Sequence, residues 1–309
     1  MSSDPAMSDP AMTDTAMTDA TMTDAARAPY APSERRLARE AYHRARARRS
    51  LLVATASTLA VAAVLYVVIT GSPGWQVTRT TFFSGHYARE ALSPVLHGFV
   101  LNLEILAVCG PLVIVFGLLI AAARTLRGPV FLPVRVLATA YVDFFRGFPL
   151  IILILLVVFG IPALQLQGVT NDPIVLGGTA LVINYSAYVA EVFRAGIESV
   201  HPSQRAAARS LGLSYAKTMR FVVLPQAIRR VVPALVNDMA SLQKDTGLVY
   251  LGGAIDAVAA AHIMVASSFN YTPLVVAGLG FVILTVPMTR YADWLTRRTD
   301  AQRAQGGVV

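Results

Sequence analysis

Apolar residues in this chain come in long blocks rather than in short amphipathic stripes. No charged residue occurs between Ser50 and Thr78, and Leu51–Thr70 is apolar enough to cross a bilayer. Further blocks cover Phe99–Ala123, Pro149–Leu166, Ile174–Val192, the polar-interrupted Ala234–Val265, and Pro273–Tyr291. A helix of about 20 apolar residues spans a hydrocarbon core of ~30 Å. The pattern therefore predicts an all-α membrane protein with six spans. A basic run precedes Leu51, in the order of a signal peptide, but some fifty preceding residues and a full-length span favour a retained signal anchor.

The Arg and Lys positions orient these spans, because positive charge favours the cytoplasmic side. Eight Arg precede Leu51, and Arg124, Arg127, Arg135 and Arg146 lie after the second block. Arg194, Arg205, Arg209, Lys217, Arg220, Arg229 and Arg230 follow the fourth block, and Arg290, Arg297, Arg298 and Arg303 follow the last. Only Arg79 and Arg89 fall on the opposite side. Both termini are accordingly expected in the cytoplasm, with 71–97 an extracytoplasmic loop and 299–309 a cytoplasmic tail.

Composition narrows the function classes. Of 309 residues, 55% are hydrophobic and 14% charged, far from a soluble globular enzyme. A net charge of +8 raises nucleic-acid binding, but the cations sit at the ends of apolar blocks, so no nucleic-acid partner is expected. The single Cys109 excludes a disulfide framework or a cysteine metal site within the chain. Residues 1–50 differ from the rest. Met7, Met12, Met17 and Met22 recur every five residues among Ser, Thr, Asp and Ala, which predicts a disordered cytoplasmic tail ending in a basic run.

The segment His201–Pro233 is basic yet carries small apolar residues. Pro202 and Ser203 open a short helix with Ser203 as the expected cap, Ala206, Ala207 and Ala208 continue it, and Gly212 stops it. A second short helix is expected to end at Leu224-Pro225. The residues alone fit two readings equally, a docking knob for another protein or an amphipathic hairpin on the membrane surface.

Ala206-Ala207-Ala208, then Gly212, then Val222-Val223-Leu224-Pro225, resembles the EAA loop of permease subunits of binding-protein-dependent ABC importers. The stretch Tyr188–Ile197 (YVAEVFRAGI) resembles the approach to that loop in the polar amino-acid branch. Arg146-Gly147-Phe148-Pro149 is similar to that branch's Arg-Gly-Thr-Pro, and Asn237 with Lys244-Asp245-Thr246-Gly247-Leu248 to its Asn and Lys-Asp-Thr-Ser-Leu. These motifs keep family order from about Gly98 to Arg298. The resemblance implies a five-span permease core over 98–298, one extra N-terminal transmembrane helix over 51–70, and a coupling loop at 201–225. It also implies two ATPase subunits, a second permease subunit, an extracytoplasmic binding protein, a polar amino acid as substrate and a location in the bacterial inner membrane. ATP and Mg would be bound by the ATPase, and no cofactor by this chain. Three residues depart from the pattern: Ala206 stands for the usual Glu, Gly247 for Ser, and Asn102 for a common Thr. With Ser203 as cap, a Glu at 206 would complete a capping box.

Polar residues inside apolar blocks are the candidate pathway or interface residues: Asn102, Glu104, Asn184, Tyr188, Glu191, Arg194, Asn237, Lys244, Asp245 and Thr246. Glu104 reads either as a substrate or gate contact or as a structural group near the interface. Glu191 and Arg194 are spaced to pair on one helix. Asn184 and Tyr185 are suited to hydrogen bonds between helices. His262 reads as packing, and Trp75 and Trp294 as interface anchors.

Neither Lys217 nor Lys244 lies in a P-loop, so the chain encodes no ATP site and no catalytic residue is expected. Two other readings compete. An ion-coupled carrier would use Glu104 and Asp245, although no inverted repeat is evident. An intramembrane enzyme around His262 or Glu191 lacks a nucleophile–base pair.

Overall fold

A computed structural model describes residues 33–126 and 128–306. The repeat tail before Ser33, Arg127 and the last three residues lie outside the described residues. Met1–Trp75 and Gln76–Val309 are separate compact units. The described residues are mostly helical, with no strand among them.

In the first unit, α1 (Glu34–Thr70) runs 37 residues, of which Arg46–Thr70 is apolar enough to cross a membrane. Ser57, Thr58 and Thr70 donate their hydroxyls to carbonyls three or four residues earlier, so these three polar side chains are satisfied within the span.

The second unit contains α2 (Trp75–Phe82), α3 (Gly85–Thr125), α4 (Leu132–Gly147), α5 (Leu150–Ala163), α6 (Pro173–Glu198), α7 (Pro202–Ser210), α8 (Tyr215–Thr218), α9 (Leu224–Asp245), α10 (Ala257–Ser268) and α11 (Thr272–Gly306). Among the described residues of both units, four helical stretches are long and apolar enough to span alone, and two bent pairs raise the number to six if each counts as one crossing.

Three expected boundaries change. Residues 71–97 are not a loop but hold α2 and the first turns of α3. At 41 residues α3 is about 61 Å long, twice the hydrocarbon thickness. The third block is a bent pair: Pro129–Gly147 and Leu150–Ala163 meet at 106°. Alone, the 14 residues of α5 reach only about 21 Å. The chain breaks at Phe148-Pro149 because proline disfavours helical backbone in the residue before it. The fifth block is likewise a pair, Tyr215–Gly252 and Ala257–Ser268, bent by 50°.

The main core lies where α3 meets α6, around Ile105, Cys109, Val113, Leu181 and Val189. A smaller core joins α3, α10 and α11 through Ala91, Val95, Phe99, Ala257, Ala261 and Ala277. Its small residues let the helices approach closely. A Cβ on Gly98 would lie 2.4 Å from the backbone nitrogen of Ala257. Pro94 and Pro111 stand inside α3, and each deprives the carbonyl four residues earlier of its donor.

Candidate functional site

Four polar arrangements occupy the second unit. The first fastens α3 to α10. Asn102 donates through Nδ2 to Asp256 Oδ2 (3.1 Å) and Thr246 Oγ1 (3.3 Å), and its Oδ1 accepts from the Ala257 N–H (3.2 Å). Asp256 caps α10, accepting from the N–H groups of Val258 and Ala259 at 3.0 and 2.9 Å. Asn102, Thr246 and Asp256 are all buried, and each has a partner. Asn102 and Thr246 are thus buried where helices of this chain meet. Replacing Asn102 with Leu leaves Asp256 short of a donor in the interior, at about 1–3 kcal/mol. The N102L protein is expected to melt several degrees below wild type in detergent, read by a thermal-shift assay.

The second is an ion network on Glu191. Its carboxylate lies 2.7 Å from Arg124 Nη1 at the end of α3, accepts from Arg194 on its own helix, and lies 4.0 Å from Arg146 Nη1 at the end of α4. Arg194 also bonds Glu198 at 2.6 Å. The expected Glu191–Arg194 pair is therefore one side of a hub that ties together the ends of three helices.

Below this hub runs the arm 201–225. His201, rather than Ser203, caps α7: its ring nitrogen accepts from the Ser203 N–H at 3.2 Å. Pro202 takes the first helical position, so Gln204 stands at the capping-box position and Ala206 lies two residues beyond it. A Glu at 206 would face out from the helix instead of closing its start, since Ala206 and Ala207 are exposed and Ala208 is buried. Gly212 closes the helix as expected, at φ +75°, with Gly212 N–H donating to Arg209 O (2.9 Å) and Leu213 N–H to Ala208 O (3.2 Å), a Schellman cap. The second helix does not end at Leu224-Pro225. It passes from α8 through a π turn, Met219–Val223, directly into α9, with Pro225 in the first turn. The wide turn fits a proline that can neither donate nor tolerate the carbonyl four residues before it. Beyond the arm, Arg230 on α9 donates to Ser199 at the end of α6 (3.0 Å). Leu211 and Phe221 project outward, 82% and 63% exposed.

The fourth arrangement is a cavity of about 410 Å³ at the break between α4 and α5, lined by Arg146, Phe148, Asn184, Tyr188, Asp238 and Asp245 among others. Asn184 donates to Phe145 O (2.9 Å) and Tyr188 to Arg146 O (3.1 Å), holding the broken backbone against α6. Tyr185 donates to Asp245 Oδ2 at 2.6 Å. Asp238 Oδ2 is buried and has no hydrogen-bond partner among the described residues. The structure thus gathers Asn184, Tyr188 and Asp245 at one cavity. Asn237 and Lys244 lie apart from it on an exposed face of α9, and Glu104 lines a separate, mostly apolar groove between α3 and α6. Asp238, Arg146, Arg124 and Asp256 join these arrangements without being among the candidate pathway or interface residues that the sequence pattern singles out. A signal for Asp256 existed in Gly253-Ala254-Ile255-Asp256-Ala257, a turn followed by a capping residue.

A bundle of apolar helices around a polar cavity, with two short exposed helices hung from its ion-paired end, defines a membrane-spanning transport subunit. The chain belongs to the family described as binding-protein-dependent transport system inner membrane component, whose model matches residues 111–301. It is 34% identical over 196 residues to the arginine transport system permease ArtQ of Bacillus subtilis, covering 63% of this chain and 87% of that one. To the probable glutamine ABC transporter permease GlnM of the same organism it is 34% identical, covering 58% and 82%. A crystal structure of an amino acid ABC transporter with histidines superposes with a TM-score of 0.61 at 30% identity, covering 67% of this chain and 94% of that one. The MetNI methionine ABC transporter, in an inward-facing form, shares the fold at 21% identity with a TM-score of 0.54, covering 66% and 95%.

Proposed function

We propose that the chain is the membrane-spanning subunit of an ATP-driven importer of polar amino acids in the bacterial inner membrane, with both termini cytoplasmic. The observation that carries this reading is the cavity at the α4–α5 break, a polar site with an unpartnered carboxylate inside an apolar bundle. The family, and relatives named for arginine and glutamine transport, support the substrate class. A separate pair of ATPase subunits binds ATP and Mg, and docks on the outward residues of the arm, Ser203, Ala206, Ala207, Leu211 and Phe221. A second permease subunit, identical or paralogous, completes the path, and a binding protein delivers substrate. Asn237 and Lys244 on the exposed face of α9 meet that second subunit or the path between the two. ATP binding shifts the population between outward and inward states through its differential contacts with the arm.

Affinity capture from native membranes in mild detergent should recover an ABC ATPase. Recovery of the intact subunit alone, with uptake driven by an ion gradient and indifferent to ATP, would instead establish a secondary carrier. Gly212→Val tests the arm directly. No atom lies within 4 Å of a Cβ built there, so the substitution acts through backbone strain alone, about 1–2 kcal/mol for a branched residue at positive φ. The variant is expected to insert normally but to lose most ATP-dependent uptake. Wild-type uptake by G212V overturns the docking assignment.

A further inference from the structure

The charges lining the cavity are unequal. Asp238 and Asp245 bring two carboxylates, and Arg146 is the only cation among the lining residues. Arg146 is itself shared with Glu191, 4.0 Å away, and lies over the Tyr188 ring at 5.8 Å from its centroid. The other positive element is the start of α5. Phe148, Pro149 and Leu150 form part of the cavity wall, and no side chain caps that helix. The first turn of a helix carries partial positive charge and unsatisfied N–H groups.

Every α-amino acid brings one carboxylate and one ammonium. The carboxylate matches Arg146 and the α5 start, and the ammonium matches one aspartate. That leaves a second aspartate unanswered. Asp245 already accepts from Tyr185, whereas the Asp238 carboxylate makes no ion pair among the described residues. Two carboxylates against one shared guanidinium leave the cavity lining net negative, so a ligand that supplies a second cation is favoured over one that does not. An amide side chain leaves that charge uncompensated. An acidic side chain sets a third carboxylate against the two present.

We infer that the substrate is an amino acid with a positively charged side chain, of the arginine or lysine kind. Its carboxylate lies toward Arg146 and the start of α5, and its two cationic groups are divided between Asp238 and Asp245. This inference rests on the cavity being the substrate site. The volume of about 410 Å³ falls in the ordinary range for small-ligand pockets, about 300–1,000 Å³.

The experiment is equilibrium binding of radiolabelled arginine, lysine, glutamine and glutamate to the assembled permease–ATPase complex in nanodiscs, without the binding protein. Wild type is expected to hold arginine or lysine at least about tenfold more tightly than glutamine or glutamate. Losing one charged hydrogen bond in D238N should weaken cationic ligands by about tenfold to a hundredfold and narrow their lead over glutamine. Wild type needs no substitution to give its preference, so poor assembly of D238N leaves the panel decisive, with D245N as the second variant. If glutamine or glutamate binds best and Ser241→Phe, which fills the cavity, abolishes it, the site stands and the cationic substrate is overturned. If no ligand binds wild type, or binding ignores D238N, D245N and S241F alike, the cavity is not the substrate site and both readings fall.

Discussion

Replacing Glu191 with Ala is expected to cut ATP-dependent uptake by about tenfold or more while the chain still inserts. The carboxylate answers Arg124 and Arg194 directly and Arg146 at 4.0 Å. Its removal leaves three guanidinium groups facing one another where the ends of α3, α4 and α6 converge. The Glu191 side chain is 22% exposed, so the loss lies between surface and buried ion pairs, about 1–3 kcal/mol. The functional effect should exceed the stability effect, because the arm hangs from the last turn of α6, directly after the hub. Uptake and ATPase activity in proteoliposomes, normalised to inserted protein, check this. ATP hydrolysis that persists without uptake is the expected signature, and unchanged uptake in E191A would remove the hub from the mechanism.

The largest effect on stability is expected from Gly98→Leu. A Cβ there meets the Ala257 nitrogen and the Asp256 carbonyl carbon, both at 2.4 Å, and neither is a side chain that can rotate away. Relief requires α10 to move off α3, which also breaks the Asn102 bonds to Asp256 and Ala257 N. The cost should reach or exceed the upper end of overpacking, about 3 kcal/mol. In detergent, G98L should show a much lower melting temperature or no monodisperse peak. Gly278→Ala, with open space around its Cβ, should match wild type. Equal melting of G98L and wild type would show that α10 does not sit where the structure places it.

Helix content and class were legible because bilayer-length apolar blocks admit little else. The bend at Phe148-Pro149 was not. The helix before it, Leu132–Gly147, carries Arg135 and Arg146, so charge counting assigned it to a cytoplasmic turn, and only packing against α6 reveals it as half of a pair. On α9 the polar residues 237, 238, 243, 244 and 245 surround the helix, so periodicity could not tell which face looks inward. Neighbours Asn237 and Asp238 sit about 100° apart, and only the second lines the cavity. In the sequence Asn102 stands out only as a departure from the family pattern. Its partners lie more than 140 residues away, a distance over which no local pattern carries information. The same holds for Arg124, which reads as a membrane-edge cation until Glu191, 67 residues later, is brought against it.

Pro111 gives the longest helix of the bundle a weak point. From there to Arg124 is thirteen residues, an axial distance of about 20 Å. A bend of about 10° at the proline swings the arginine sideways by about 3 Å, as much as the 2.7 Å that joins it to Glu191. Asn102, before the proline, fastens the first half of α3 to α10, while Arg124, after it, lies at the end of a lever formed by the second half. A bend at Pro111 therefore acts on the Arg124–Glu191 contact and leaves the Asn102 bonds where they are.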